Sequence, residues 1–169
     1  MKKYFLYVGL FLFVTLLVTS HFLLKNEKKR DKEIIEFEQV FNQKLPDKIT
    51  FKEIYNSYCS FPYEGVKLYS YSFSGESVEK FISEIKTDSW NSLPLMESLN
   101  LLIYGGSKNN TEYMYHFANE VGLPEIKNGY WKFINRNKNT DLLNYSAYNF
   151  SLAIYDSDNN ILYFFRIDT

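Results

Sequence analysis

The chain has 169 residues with a formal charge of −1, 46% hydrophobic and 19% aromatic side chains, which suits one folded domain behind an N-terminal segment and excludes a disordered chain. From residue 46 onward 11 basic residues face 15 acidic ones, a net charge of −4 with no basic stripe, which argues against a nucleic-acid partner because phosphate neutralisation supplies most non-specific affinity. Cys59 is the sole cysteine, so neither an intramolecular disulfide nor a thiolate metal cluster can form.

A three-residue tail, Met1, Lys2 and Lys3, precedes YFLYVGLFLFVTLLVTSHFLL at residues 4–24, a run without a formally charged side chain. Twenty-one helical residues at about 1.5 Å each extend about 30 Å, the thickness of a bilayer's hydrocarbon core. The reading is a single-pass membrane anchor, with the lipid bilayer as its partner. Val18, Thr19 and Ser20 offer a conceivable cleavage site after Ser20, which would release a secreted soluble domain. The run continues through Phe22, Leu23 and Leu24, longer than a signal-peptide core, and favours retention. Lys2 and Lys3 place the N-terminus inside, while Lys25, Lys28, Lys29, Arg30 and Lys32 pull the other way; an extracytoplasmic domain is the favoured side.

Residues 25–45 are charged, with Ile34, Phe37, Phe41 and Leu45 three or four apart, the stripe of a helical stalk that docks on the domain and stops at Pro46. In the domain, 46–169, Thr50-Phe51-Lys52-Glu53 matches a capping box and predicts a short helix through about Tyr58. The alternating VKLYSYSF at 66–73 predicts a strand, with Val66, Leu68, Ser70 and Ser72 on one face and Lys67, Tyr69, Tyr71 and Phe73 on the other. Val78, Phe81, Ile82 and Ile85 predict the next helix. Pro94 fits the first turn of another, with Leu95, Leu99, Leu102 and Ile103 inward and Gly105-Gly106 as its stop. A further helix is expected from Asn110 or Thr111, burying Met114, Phe117, Ala118 and Val121 and ending at Gly122.

Asn128-Gly129 turns into a strand at 130–135, a polar loop from Arg136 follows, and 148–155 and 161–167 form a hairpin about Asp156-Ser157-Asp158-Asn159-Asn160. The sum is an α+β domain with one early strand, a helical block and a C-terminal antiparallel meander, its helices on one sheet face.

Chemistry-bearing motifs are sparse. The 156–160 segment begins like a calcium loop, but Ile161 and Ile167 stand where the turn glycine and bidentate glutamate belong, so it reads as a plain turn. His116 has no HExxH or paired ligand set around it, and Cys59 has no local base and reads as a small buried hydrophobe. No catalytic residue, metal site or cofactor is expected from this pattern. Strands with large side chains on both faces make Tyr69, Tyr71 and Phe73 the candidate binding surface, since tyrosines that remain exposed are rigid contact points; the competing expectation is a sheet covered on both sides. The function expected is a membrane-anchored, non-catalytic binding module at a bacterial cell envelope with a protein partner. The alternative is an envelope hydrolase using His116 or dispersed carboxylates.

Overall fold

The computed structural model describes residues 32–59, 63–114, 116–137, 141–144 and 147–169. The apolar segment 4–24 lies outside them; among the described residues no helix is long and apolar enough to cross a membrane.

The described chain is helical from 32 to 41 (α1). It continues through strands β1 (Ile49–Asn56) and β2 (Gly65–Phe73), helix α2 (Glu76–Thr87), the short β3 (Asn91–Ser92) and helix α3 (Glu97–Tyr104). A small hairpin, β4 (Gly106–Lys108) and β5 (Thr111–Tyr113), leads to α4 (Phe117–Val121) and then to β6 (Gly129–Asn135), β7 (Asn149–Asp156) and β8 (Ile161–Asp168). The main sheet is antiparallel throughout, in the order β1-β2-β8-β7-β6-β3. The architecture is α+β.

Period-two alternation along these strands feeds two separate cores. Leu68, Trp131, Phe150, Leu152, Ile154, Phe165 and Ile167 face α3 and α4, which contribute Leu99, Leu102, Ile103, Ala118 and Val121. Tyr69, Tyr71, Phe73, Ala153, Tyr155, Leu162 and Phe164 face the opposite way, towards Phe37 and Phe41 of α1 and Phe81 and Ile85 of α2. The expectation of helices on one face is therefore corrected: they cover both. The reason is visible in β7, buried at every position after Asn149, as strands are when packed on two sides.

The α1 segment belongs to the second core. Phe37 is fully buried, and its ring centroid lies 5.0 Å from Phe41 and 5.6 Å from both Tyr71 and Phe164. The helix stops before Pro46, at Asn42, whose φ of 51° is left-handed. Below it, Phe73 and Phe81 stack at 4.7 Å and 17°.

Three local expectations change. Thr50 to Glu53 is part of strand β1, not a capped helix; Ile49 and Phe51 point into the second core while Thr50 and Lys52 are exposed, an alternation that outweighs the capping pattern. Pro94 sits outside α3, behind a cis Leu93–Pro94 bond, although Leu95, Leu99, Leu102 and Ile103 are all buried as expected. The helix expected from Thr111 is shortened to α4 because Thr111 to Tyr113 pairs in the β4–β5 hairpin, whose turn places Asn109 and Asn110 at φ 51° and 62°. Met114 is consequently 79% exposed, not buried.

Candidate functional site

At the end of the sheet where α1 begins, apolar packing gives way to charge. Lys67 on β2 is directly opposite Arg166 on β8, and Arg166 is opposite Ser151 on β7, so the three side chains form one row on the face that α1 covers. Arg136, just past β6, extends the row: it donates to Ser151 Oγ at 2.7 Å, to the Phe150 and Ile167 carbonyls at 3.1 and 3.2 Å, and to Asp168. Arg166 Nε donates to the other Asp168 oxygen at 2.7 Å.

From above, α1 supplies the counter-charges. Glu33 and Glu36 are one helical turn apart and therefore share a face. Glu36 accepts from Lys67 Nζ at 2.6 Å and from Arg166 Nη1 at 2.8 Å. Glu33 is only 6% exposed, and its backbone carbonyl accepts from the Tyr71 hydroxyl at 3.0 Å. Tyr58 closes the side: its hydroxyl donates to Asp168, and Lys67 Nζ lies 4.6 Å from its ring centroid. Gly65 permits this approach, because a Cβ there would fall 2.6 Å from Tyr58 Cα.

The electrostatics follow from burial and proximity. Burial and the neighbouring Glu36 carboxylate raise the Glu33 carboxyl above its ordinary range. Burial pushes Glu36 the same way, but Lys67 and Arg166 outweigh it and hold that carboxyl low. Burial and Glu36 push Asp168 up to about 6 despite its two guanidinium partners, and burial beside Arg166 brings Arg136 down to about 10, still cationic at neutral pH. The Tyr69 and Tyr71 phenols are raised by burial and by Glu33, so they remain neutral.

Beside this network a cleft of about 340 Å³ opens between the first described turn of α1 and the segment joining β1 to β2, lined by Lys32, Asn56, Tyr58, Cys59, Tyr63 and Lys67 among others. Cys59 is exposed here, against the expectation of a buried hydrophobe; β1 ends at Asn56 and carries the following residues beyond the sheet's covered face.

The other sequence candidates fall elsewhere. Tyr69, Tyr71 and Phe73 are 1%, 0% and 6% exposed beneath α1 and α2, so their rings are core contacts and do not form an exposed surface. His116 is exposed at the start of α4 and lines a shallow groove of about 400 Å³ with Glu112 and Met114, on the far side of the sheet from the ionic row. Asp156 caps its own turn, accepting from the Asp158 and Asn159 amides at 2.9 and 3.2 Å and from Asn159 Nδ2 at 2.8 Å. Among the described residues no group of three or more His, Cys, Asp and Glu is disposed to hold a metal.

Comparison with known proteins returns nothing: no protein-family model, no curated protein and no solved structure matches the chain. The site therefore stands on its geometry alone. Sequence reasoning missed it because its members are far apart in the chain, 31 positions between Lys67 and Glu36 and 130 between Arg166 and Glu36. The available signal was the placement of Lys67, Arg166 and Asp168 at alternate positions of strands whose neighbours on that face are apolar.

Proposed function

We propose that this chain is a membrane-anchored, non-catalytic binding module at a bacterial cell envelope, held in the bilayer through residues 4–24 and presenting its domain to a protein partner. The observation that carries the reading is the position of α1. Only residues 25–31 lie between the apolar run and the first described residue of α1, whose Phe37 and Phe41 are core residues. Seven residues span at most about 25 Å, so an anchor at 4–24 would hold the whole domain close to the headgroups and not on a long tether. The ionic row then has a mechanical meaning: it fixes the sheet to the helix nearest the anchor. The charge balance of 46–169, net acidic, supports a partner other than nucleic acid.

The test is membrane fractionation of cells producing the full-length chain, with intact mass of the extracted protein and identification of what copurifies. Retention after a carbonate wash, a mass beginning at Met1 and a reproducible protein companion support the proposal. A freely soluble chain, or a mass beginning at His21, overturns the anchor; a repeatedly empty capture overturns the partner.

A further inference from the structure

We propose that the corner of the domain holding Tyr63 and the start of α1 rests on an anionic bilayer surface, with the Tyr63 ring as its contact at headgroup level. This names the face that the anchored domain turns to the lipid, and it rests on the reading that residues 4–24 lie in the membrane.

The first observation is where the described chain begins. Lys32 opens α1 and lines the cleft of about 340 Å³ together with Asn56, Tyr58, Cys59 and Tyr63. A chain leaving an anchor at 4–24 therefore enters the domain at this corner, after seven residues that span at most about 25 Å. The opposite corner is fixed by the sheet. Gly129 is in register with Asp156, Ile161 and Ser72, so the start of β6 lies seven residues along β2 from Gly65 and three strands across. Those steps amount to about 23 Å along the strands and about 14 Å across them.

The second observation is Tyr63 itself. It is 71% exposed, the most exposed Phe, Tyr or Trp side chain among the described residues. Its φ of 67° is left-handed, a conformation that a bulky side chain seldom adopts. The backbone around it is held by a continuation of the β1–β2 ladder, in which Ser57 N donates to Val66 O at 2.9 Å and Cys59 N to Glu64 O at 3.1 Å. The ring is thus presented outward from a fixed base. A tyrosine so placed suits the bilayer interface, where its apolar body and polar hydroxyl are both accommodated.

The third observation is charge. Residues 25–32 carry five basic side chains, Lys25, Lys28, Lys29, Arg30 and Lys32, against Glu27 and Asp31, a net charge of +3. Glu64, exposed beside Tyr63, offsets one of these; Glu33 is 6% exposed, and Glu36 is already answered by Lys67 and Arg166. Basic residues next to a membrane-inserted segment are drawn to anionic headgroups. From residue 46 onward the domain is net −4, so the same surface that attracts this corner repels the body behind it.

The sole cysteine makes the orientation measurable, because Cys59 is exposed in the cleft beside Tyr63. The full-length chain, labelled at Cys59 with a fluorescent maleimide, is reconstituted into vesicles of phosphatidylglycerol and phosphatidylcholine in which a fraction of the lipid carries a nitroxide on its headgroup. The reference is a Cys59→Ser, Lys127→Cys chain, labelled at the opposite corner, where Lys127 is exposed. Quenching at Cys59 should exceed that at the reference site several-fold, and should fall when phosphatidylcholine alone is used. Tyr63→Asp, which keeps an exposed position and a residue tolerant of left-handed backbone, should lower the Cys59 quenching. A chain that does not float with the vesicles overturns the anchor and this orientation together. A floating chain with equal quenching at the two sites overturns the orientation alone, as does a Tyr63→Asp chain quenched like the parent. A floating chain unquenched at Cys59 also overturns it and leaves the Tyr63 corner facing solvent, as a protein contact would require.

Discussion

Replacing Phe37 with alanine asks whether α1 is part of the domain or a rod resting on it. The ring is fully buried and touches Phe41, Tyr71 and Phe164 at centroid distances of 5.0 to 5.6 Å, so truncation removes three aromatic contacts and leaves a cavity between helix and sheet. Phe→Ala at such positions costs about 3–5 kcal/mol, a large share of the about 5–15 kcal/mol that stabilises a domain. With a urea m-value of about 2 kcal/mol/M, the denaturation midpoint of the full-length chain in detergent should fall by about 2 M. Ile35, on the same helix but 51% exposed, is the control, and Ile35→Ala should move the midpoint by no more than about 0.5 kcal/mol equivalent. The curve should stay single, because α1 and the strands share one core. If Phe37→Ala matched Ile35→Ala, or produced a separate early transition for α1 with the main one unmoved, the assignment of α1 to the core would be wrong.

Four further outcomes follow from the geometry. Gly129→Ala places a Cβ 1.8 Å from the Tyr155 carbonyl oxygen at a φ of 149°, so it should cost at least about 3 kcal/mol; a near-parental melting temperature would refute the β6–β7 register. Glu36→Ala should destabilise by about 2–3 kcal/mol, less than a fully buried pair because Arg166 is partly exposed. A double-mutant cycle with Lys67→Met in urea should show that most of this is coupling, and additive losses would refute it. Cys59 should react with one equivalent of maleimide in the native state, and labelling that requires denaturant would contradict its exposure. Among the described residues the buried Trp90 indole N–H has no hydrogen-bond partner, so Trp90→Phe should cost less than about 1 kcal/mol by equilibrium unfolding, the released donor offsetting the smaller ring.

The parts of the fold legible in the sequence were those whose signal is local and unopposed. Val78, Phe81, Ile82 and Ile85 define α2 by spacing, and Asn128-Gly129 with the aromatic run after it defines β6. β1 was misread because Thr50 and Glu53 satisfy a helix-start pattern by chance while Ile49 and Phe51 alternate too briefly to compete. The β4–β5 hairpin was hidden by apolar residues after Thr111 that fit a helical period, although the paired asparagines at 109 and 110 were the turn signal. The aromatic positions of β2 were read as real features of the strand, but which face of a strand is covered depends on elements distant in sequence. The ionic row is the extreme case: apart from the Arg166–Asp168 pair it exists only once residues near 36, 67, 136, 151 and 167 are brought together.

β8 lies between β2 and β7, joining the strands made early to those made late. β1 and β2 alone would leave β2 open along one side, and β6 and β7 alone would leave β7 open along one side; Ile161–Asp168 is the mate of both edges. Alternate residues of that one strand enter each core. The strand Ile161–Asp168 is therefore the keystone of the sheet: removing it would leave β2 and β7 each with an unpaired edge and take side chains from both cores.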